Sequence, residues 1–296
     1  MSISAQQVQK LREMTGAGIL DCKSALESCT GDYDKAMQFL REKGKASAAK
    51  KLGRSASEGL VSVWIDSTQS KGSIVELNCE TDFVARTEEF QSFIKTLAKT
   101  SGEKDVQSLD ALKSSSFNGS AETVETIVKE KIGKLGENIL LKKAAVFGGE
   151  KNSYVGYYIH SPEQNAPECG KLGVLVEFKS EKKSSELDQI SKEISMQIAA
   201  TSPRWIKNED IPQEIIESEK KIYLEQCKQA GKPEIAWPKI IDGKLKDFFK
   251  QFCLLDQPHV RDSSGKTSIQ SLLQTLSEKQ GLVEVCRFVR FKVGEE

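Results

Sequence analysis

The chain reads as an α+β protein: a small helical module at the N-terminus, then two related α+β subdomains whose antiparallel strand pairs are covered by helices. Three observations predict this. Residues 4–44 hold three short amphipathic helical patterns separated by tight turns. A strand pair followed by a helix occurs twice, about a hundred residues apart, which reads as two copies of one layered unit. Residues 212–252 carry two amphipathic stripes joined by a turn, an antiparallel helical hairpin inserted in the second unit. The expected spans are 1–55 for the helical module with its basic linker, 56–145 for the first subdomain and 146–296 for the second.

Composition narrows the function classes. A length of 296 residues suggests about two domains. With 38% hydrophobic and 29% charged residues, the chain has the make-up of an ordinary globular protein. Lys plus Arg equals Asp plus Glu at 43 each, so no global field recruits nucleic acid or an anionic membrane. No apolar stretch approaches the roughly 20 residues that span a bilayer. Met1-Ser2-Ile3-Ser4 leads directly into a helical pattern, so neither signal nor transit peptide is expected. The seven cysteines are scattered without a Cys-x-x-Cys pair, against a disulfide framework or zinc knuckle and in favour of a reducing cytoplasm.

In the first module Val8, Leu11 and Met14 share a face before Thr15-Gly16-Ala17-Gly18 breaks the helix. Ile19, Cys22, Ala25 and Leu26 repeat the pattern. Tyr33, Ala36, Phe39 and Leu40 form a third face, with Asp32 as N-cap. So small a unit buries little and suits a docking module. The run 41–54 holds six basic residues against one acid. Without interleaved aromatics it reads as a solvated helix or linker in preference to a nucleic-acid patch.

Residues 60–65 and 74–77 read as one strand pair, followed by a helix carrying Phe90, Phe93, Ile94, Leu97 and Ala98. Residues 154–159 and 174–178 form the second pair, followed by a helix with Leu187, Ile190, Ile194, Ile198 and Ala199. All seven prolines lie at or after Pro162. Pro212 opens the hairpin, Gly231-Lys232-Pro233 turns it, and Trp237, Ile241, Leu245, Phe248 and Phe252 stripe its second helix. A helix with Ile269, Leu272, Leu273 and Leu276 follows. A closing strand then places Val285, Arg287, Val289 and Phe291 on one face.

The stretch Ile74 to Arg86 carries the candidate site. An apolar strand ends, and Asp82 and Phe83 stand side by side before a helix begins at Thr87. Strand-to-helix loops display working groups on a rigid support. The bland alternative makes Phe83 core and Thr81 or Asp82 an N-cap. Against it, the second copy has Ser180-Glu181-Lys182-Lys183 at this place, so the Asp-Phe pair is not part of the shared scaffold.

Enzyme signatures fail. Gly16-Ala17-Gly18 follows a helix, not a strand, and lacks the third glycine of a dinucleotide fingerprint. Gly265-Lys266-Thr267 lacks the first P-loop glycine, whose place is taken by Val260. The only histidines, His160 and His259, announce no metal site and read as ordinary surface or hydrogen-bonded residues. The chain is expected to be a binder, not an enzyme, with no cofactor and no metal.

These motifs together resemble the bacterial elongation factor Ts family. Thr15-Gly16-Ala17-Gly18, Asp21-Cys22-Lys23, Ala25-Leu26 and Gly31-Asp32 are similar to that family's N-terminal ubiquitin-associated-like domain. Asn78 through Arg86, centred on Thr81-Asp82-Phe83-Val84, resembles its signature. Gly136-Glu137-Asn138-Ile139, His160, residues 170–175 and 196–200, Gly231-Lys232-Pro233 and Gln257-Pro258 match further landmarks in order. The resemblance implies a guanine nucleotide exchange factor whose partner is elongation factor Tu, with Asp82 and Phe83 inserting near the partner's magnesium site. It implies contacts from Leu135, Gly136 and His160, and from Leu11, Ile19, Leu20 and Lys23 of the small domain. It also implies a hairpin that serves self-association in some members. Some members continue beyond the closing strand into another helical module, so a contact from that module is expected to be missing here. His259 stands where the family often has an aromatic. The rival reading is a ubiquitin-associated-like adaptor without exchange activity.

Overall fold

Ser4 and Asp32 fix where the first helices begin. The Ser4 hydroxyl accepts from the Gln7 N–H at 3.3 Å while the Gln7 side chain accepts from the Ser4 N–H at 2.9 Å, a capping box. Helix α1 then runs Ala5–Thr15, and α2 spans Ile19–Ser28. Asp32 accepts from the Lys35 N–H and starts α3, Tyr33–Lys51. Val8, Leu11, Cys22, Ala25, Leu26 and Ala36 form the small core of this bundle. The computed structural model describes residues 3–295; Met1, Ser2 and Glu296, at the ends of the outer expected spans, lie outside them.

Most of the basic run is helix, the C-terminal half of α3. Two of its charges are engaged internally: Arg41 pairs with Glu122 and with Glu130 (2.8 Å), and Lys43 with Asp21 at 2.8 Å.

The first subdomain contains β1 (Glu58–Ile65), β2 (Lys71–Cys79), the four-residue α4 (Asp82–Ala85) and α5 (Glu88–Glu103). The short α6 (Leu109–Ser114), α7 (Val124–Leu135) and β3 (Leu140–Gly148) complete it. The second contains β4 (Ser153–His160), the two-residue β5 (Cys169–Gly170), β6 (Leu172–Ser180) and α8 (Ser185–Thr201). The hairpin helices α9 (Gln213–Gln229) and α10 (Trp237–Phe252), then α11 (Ile269–Gln280) and β7 (Val283–Lys292), close the chain. The expected α+β class is what the structure has.

The sheets are antiparallel, ordered β3-β2-β1-β5 and β4-β6-β7. They pack face to face on Val61, Val63, Ile74, Phe147, Val155, Ile159, Leu175 and Phe291. The opposite face of the first sheet is covered by α5 and α6, burying Leu60, Val75, Leu77, Phe90, Ile94 and Leu112, with Ile132 of α7 in the same core. The opposite face of the second is covered by α8 and α11, burying Val174, Val176, Phe178, Ile194 and Leu273. Each repeat is thus a sheet with one helix-covered face, and the two sheets supply each other's second cover.

Three differences from the sequence reading have local causes. The boundary expected after residue 145 falls inside β3, because that strand pairs with β2 over its whole length. The two-residue β5, from the second expected span, joins the first sheet by pairing with Val61 and Ser62. The shared face proposed for the closing strand breaks at Cys286: Glu177 pairs with Arg287 but Phe178 with Val285, so one extra residue bulges out. Val283 and Val285 therefore join the helix-covered core, while Val289 and Phe291 face the other sheet.

A second bulge opens β3 between Lys143 and Leu141. It brings Lys142 and Lys143 to 4.0 and 3.5 Å from Glu76, which is fully buried between the sheets. Burial pushes the Glu76 carboxyl up, with the two ammoniums opposing.

The hairpin is rooted by Ile211, Phe248 and Cys253 with Trp205 and Phe252 against them. Among the described residues no helix is long and apolar enough to cross a membrane.

The bundle docks on the first subdomain where α3 crosses α7. A Cβ on Gly133 would lie 2.9 Å from the Gly44 carbonyl oxygen, so Gly133 leaves no room for a side chain, whereas a Cβ on Gly44 would point into open space. Gly133→Val should therefore cost about 1–3 kcal/mol of docking energy through overpacking. The expected outcome is faster proteolytic nicking near residues 52–57, with the melting of the two-sheet core unchanged.

Candidate functional site

Strand β2 is buried on both faces, from Gly72 to Cys79, and the candidate site is what emerges at its end. Thr81 is the N-cap of α4, its hydroxyl accepting from the Val84 N–H at 3.4 Å. Helical structure thus starts one turn earlier than expected; α5 begins afresh at Glu88, capped by Thr87. The single turn of α4 sorts its side chains. Ala85 is buried and Val84 packs on the first core, whereas Phe83 is 79% exposed. The N-cap alternative holds for Thr81, but the core alternative does not hold for Phe83. Asp82 is half-buried, its Oδ2 3.1 Å from Arg86.

The loop is tied down from one side. The Glu137 carboxylate accepts from the Glu80 N–H (3.1 Å), the Thr81 N–H (3.0 Å) and the Thr81 hydroxyl (2.6 Å). Reciprocally, the Asn138 N–H donates to Glu80 Oε1 at 2.6 Å. The Asn138 amide donates to the Arg54 carbonyl at 2.7 Å. Glu80, Glu137 and Asn138 were not among the expected site residues. Both stretches appear in the sequence as landmarks, but nothing in their spacing tells that an acid at 137 serves backbone N–H groups at 80 and 81.

Leu135 and Gly136 end α7 right beside this clamp. Gly136 sits at φ 81°, the left-handed helix end that favours glycine, and is exposed, while Leu135 packs partly on the first core. The structure therefore brings Thr81, Asp82, Phe83 and Val84 together with Leu135 and Gly136. His160 stands apart, exposed at the end of β4 in the other sheet, its Nδ1 3.1 Å from the Tyr158 hydroxyl. His259, expected at a surface or in a hydrogen bond, is instead buried with Nε2 3.5 Å from Glu193.

On the bundle, Ile19 is 55% and Leu20 81% exposed, and Lys23 is exposed as well. Leu11 is a correction: it is fully buried in the bundle's own core, because the α1 face it shares with Val8 is the face that α2 covers. Ile19 and Lys23 border a cleft of about 880 Å³ whose other wall includes Glu89 and Lys134. Burial alone would raise Glu89, but Lys131 (2.7 Å) and Lys134 (2.9 Å) more than reverse it and hold its carboxyl below the ordinary range.

Burial pushes the Cys79 thiol, just behind the loop, up to about 12 and leaves it un-ionised at neutral pH. Among the described residues no cluster of three or more His, Cys, Asp or Glu could hold a metal. What the site offers is an unsupported aromatic ring, a carboxylate next to it, and apolar Ile19 and Leu20 on a separate module.

A family model described as "Elongation factor TS" matches residues 80–295. Among curated proteins, Elongation factor Ts of Aquifex aeolicus is 41% identical over 301 residues, covering 99% of this chain and 99% of that one. Elongation factor Ts of Clostridium perfringens (strain SM101) is 42% identical over 294 residues, covering 99% and 93%. That of Halothermothrix orenii is 42% identical over 299 residues, covering 100% and 93%.

The burial contrast on the bundle is measurable. Leu11→Ala should destabilise residues 4–51 by about 2–5 kcal/mol, enough to raise their amide exchange steeply. Leu20→Ala should leave exchange and melting within about 0.5 kcal/mol of the parent.

Proposed function

The chain belongs to the elongation factor Ts family, and on that premise we propose that it inserts Asp82 and Phe83 into elongation factor Tu to expel GDP. Exchange of this kind is allostery against a tight ligand: whatever factor weakens the partner's hold on GDP must equally weaken this protein's hold when GDP is bound. Its interface must therefore supply binding energy that opposes the nucleotide's. Phe83 is the anchor. A ring buried in a partner's pocket gains about 1.5–3 kcal/mol of apolar transfer. Asp82 is the lever, a carboxylate set against the magnesium and phosphate arrangement that the ion bridges in GTPases.

The observation that carries this reading is a large ring 79% exposed on a single helical turn at the end of a fully buried strand. Thr81 and Val84 hold that turn, and Leu135 and Gly136 extend the contact. His160 adds a supporting contact from the second sheet. Ile19, Leu20 and Lys23 let the bundle grip the same partner, with Leu11 shaping that face from beneath. The role is that of a binding protein, not a catalyst of covalent chemistry, needing no cofactor or metal of its own. A partner that works in translation places the chain in the cytoplasm. The internal pairing of Arg41 and Lys43 supports a protein partner over nucleic acid. Exposed Ile222 and Ile235 on the hairpin support self-association as its use.

Phe83→Ala should slow release of fluorescent GDP from elongation factor Tu by about tenfold or more, in line with the loss of a buried anchor. Its melting curve should match the parent's, because the ring supports nothing in its own fold. Unchanged release in a folded variant would remove the wedge. If residues 1–55 alone retained the main affinity for the partner, the adaptor reading would replace it.

A further inference from the structure

The β2–β3 ladder ends at Asn78 opposite Leu140, yet residues 80–81 and 137–138 beyond it remain bonded to each other. Side chains continue the pairing where backbone rungs stop. The carboxylate of Glu137 takes two N–H groups and a hydroxyl from Glu80 and Thr81, and the carboxylate of Glu80 takes the Asn138 N–H in return. All four bonds are charge-assisted, the stronger class. Thr81 Oγ1 is shared: it donates to Glu137 and accepts from Val84, so the clamp reaches into the turn that carries Phe83. Asn138 adds the Arg54 carbonyl, tying in the segment that leads out of the N-terminal bundle.

We infer that Glu137 is a positioning residue for exchange, holding the Asp82–Phe83 turn and the Leu135–Gly136 end of α7 as one rigid surface. This rests on the wedge reading. A ring 79% exposed has no packing of its own to fix its direction, so its aim is set by the backbone beneath it. Cutting the Glu137 bonds leaves Phe83 present but frees the turn, and docking must then order it at an entropic cost.

A double-mutant cycle on GDP release from elongation factor Tu, with the full chain at fixed concentration, tests this. E137A should slow release about tenfold in the parent but less than about twofold in the F83A background, since both act through one ring. E137Q, which keeps one acceptor oxygen, should fall between parent and E137A. Thermal melting checks each variant for folding, and if E137A melts early the cycle is run with E137Q. Equal fold-losses in both backgrounds, or no loss in either, would overturn the inference, because a merely structural Glu137 gives an additive effect. If F83A slows release and Glu137 substitution does not, the wedge stands and only the positioning role falls. If F83A itself leaves release unchanged, both fall.

Discussion

Strand β2 belongs to two hydrophobic cores at once, and the arrangement of the molecule follows from that. Ile74 faces the second sheet, while Val75, Leu77 and Cys79 face the helices of the first subdomain. A strand covered on both sides cannot shift without opening both cores. Its C-terminal end is therefore a firmly held place from which the chain presents an outward group. Phe83 stands four residues beyond Cys79, on a helical turn whose Val84 and Ala85 reach back into the same core. An exposed apolar ring forgoes about 1.5–3 kcal/mol that burial would supply. On the wedge reading, fixed scaffolding makes that ring useful, because little further ordering is needed when a partner encloses it.

The repeat and the helical stripes were legible because period 3.6 and period 2 survive wherever one face is covered throughout. They stop being legible where that condition fails. The stripe Val124, Ile127, Val128, Ile132 and Leu135 of α7 has ordinary helical spacing and lies outside the elements read from the sequence. β3 is harder. Lys142 and Lys143 sit in its middle, and a bulge puts both toward Glu76, so no alternation is visible. The same device defeats the face assigned to β7: one extra residue at Cys286 exchanges the two faces. Bulges carry no composition signal of their own, and only the partner strand's register reveals them.

At the candidate site, the sequence singled out the loop but not what fixes it. Asp82 and Phe83 were visible because the second repeat lacks them. Leu11 misled because an apolar residue on an amphipathic helix can lie at the core or on the rim, and periodicity alone does not separate the two. Glu137 was invisible in a different way. Its importance lies in a contact 56 residues away in the chain, and an acid after a helix-ending glycine looks like any surface residue. Polar groups that replace backbone rungs are fixed by topology, and topology is the level at which pattern reading is weakest.

Asp82 is held differently from the backbone beneath it. Its carboxylate lies 3.1 Å from Arg86, one turn on, with the guanidinium largely in solvent. Exposed pairs of this kind contribute about 0–1 kcal/mol, so giving one up on docking costs little. The bonds beneath differ in kind: they are half-buried and made to backbone N–H groups. Weak polar contacts at the tip and strong ones at the root let Asp82 change partners while the backbone beneath it keeps its place. On the proposed wedge reading, a tip locked by strong internal bonds would have to break them before it could act on a phosphate site. A root held only by weak ones would yield before the partner did.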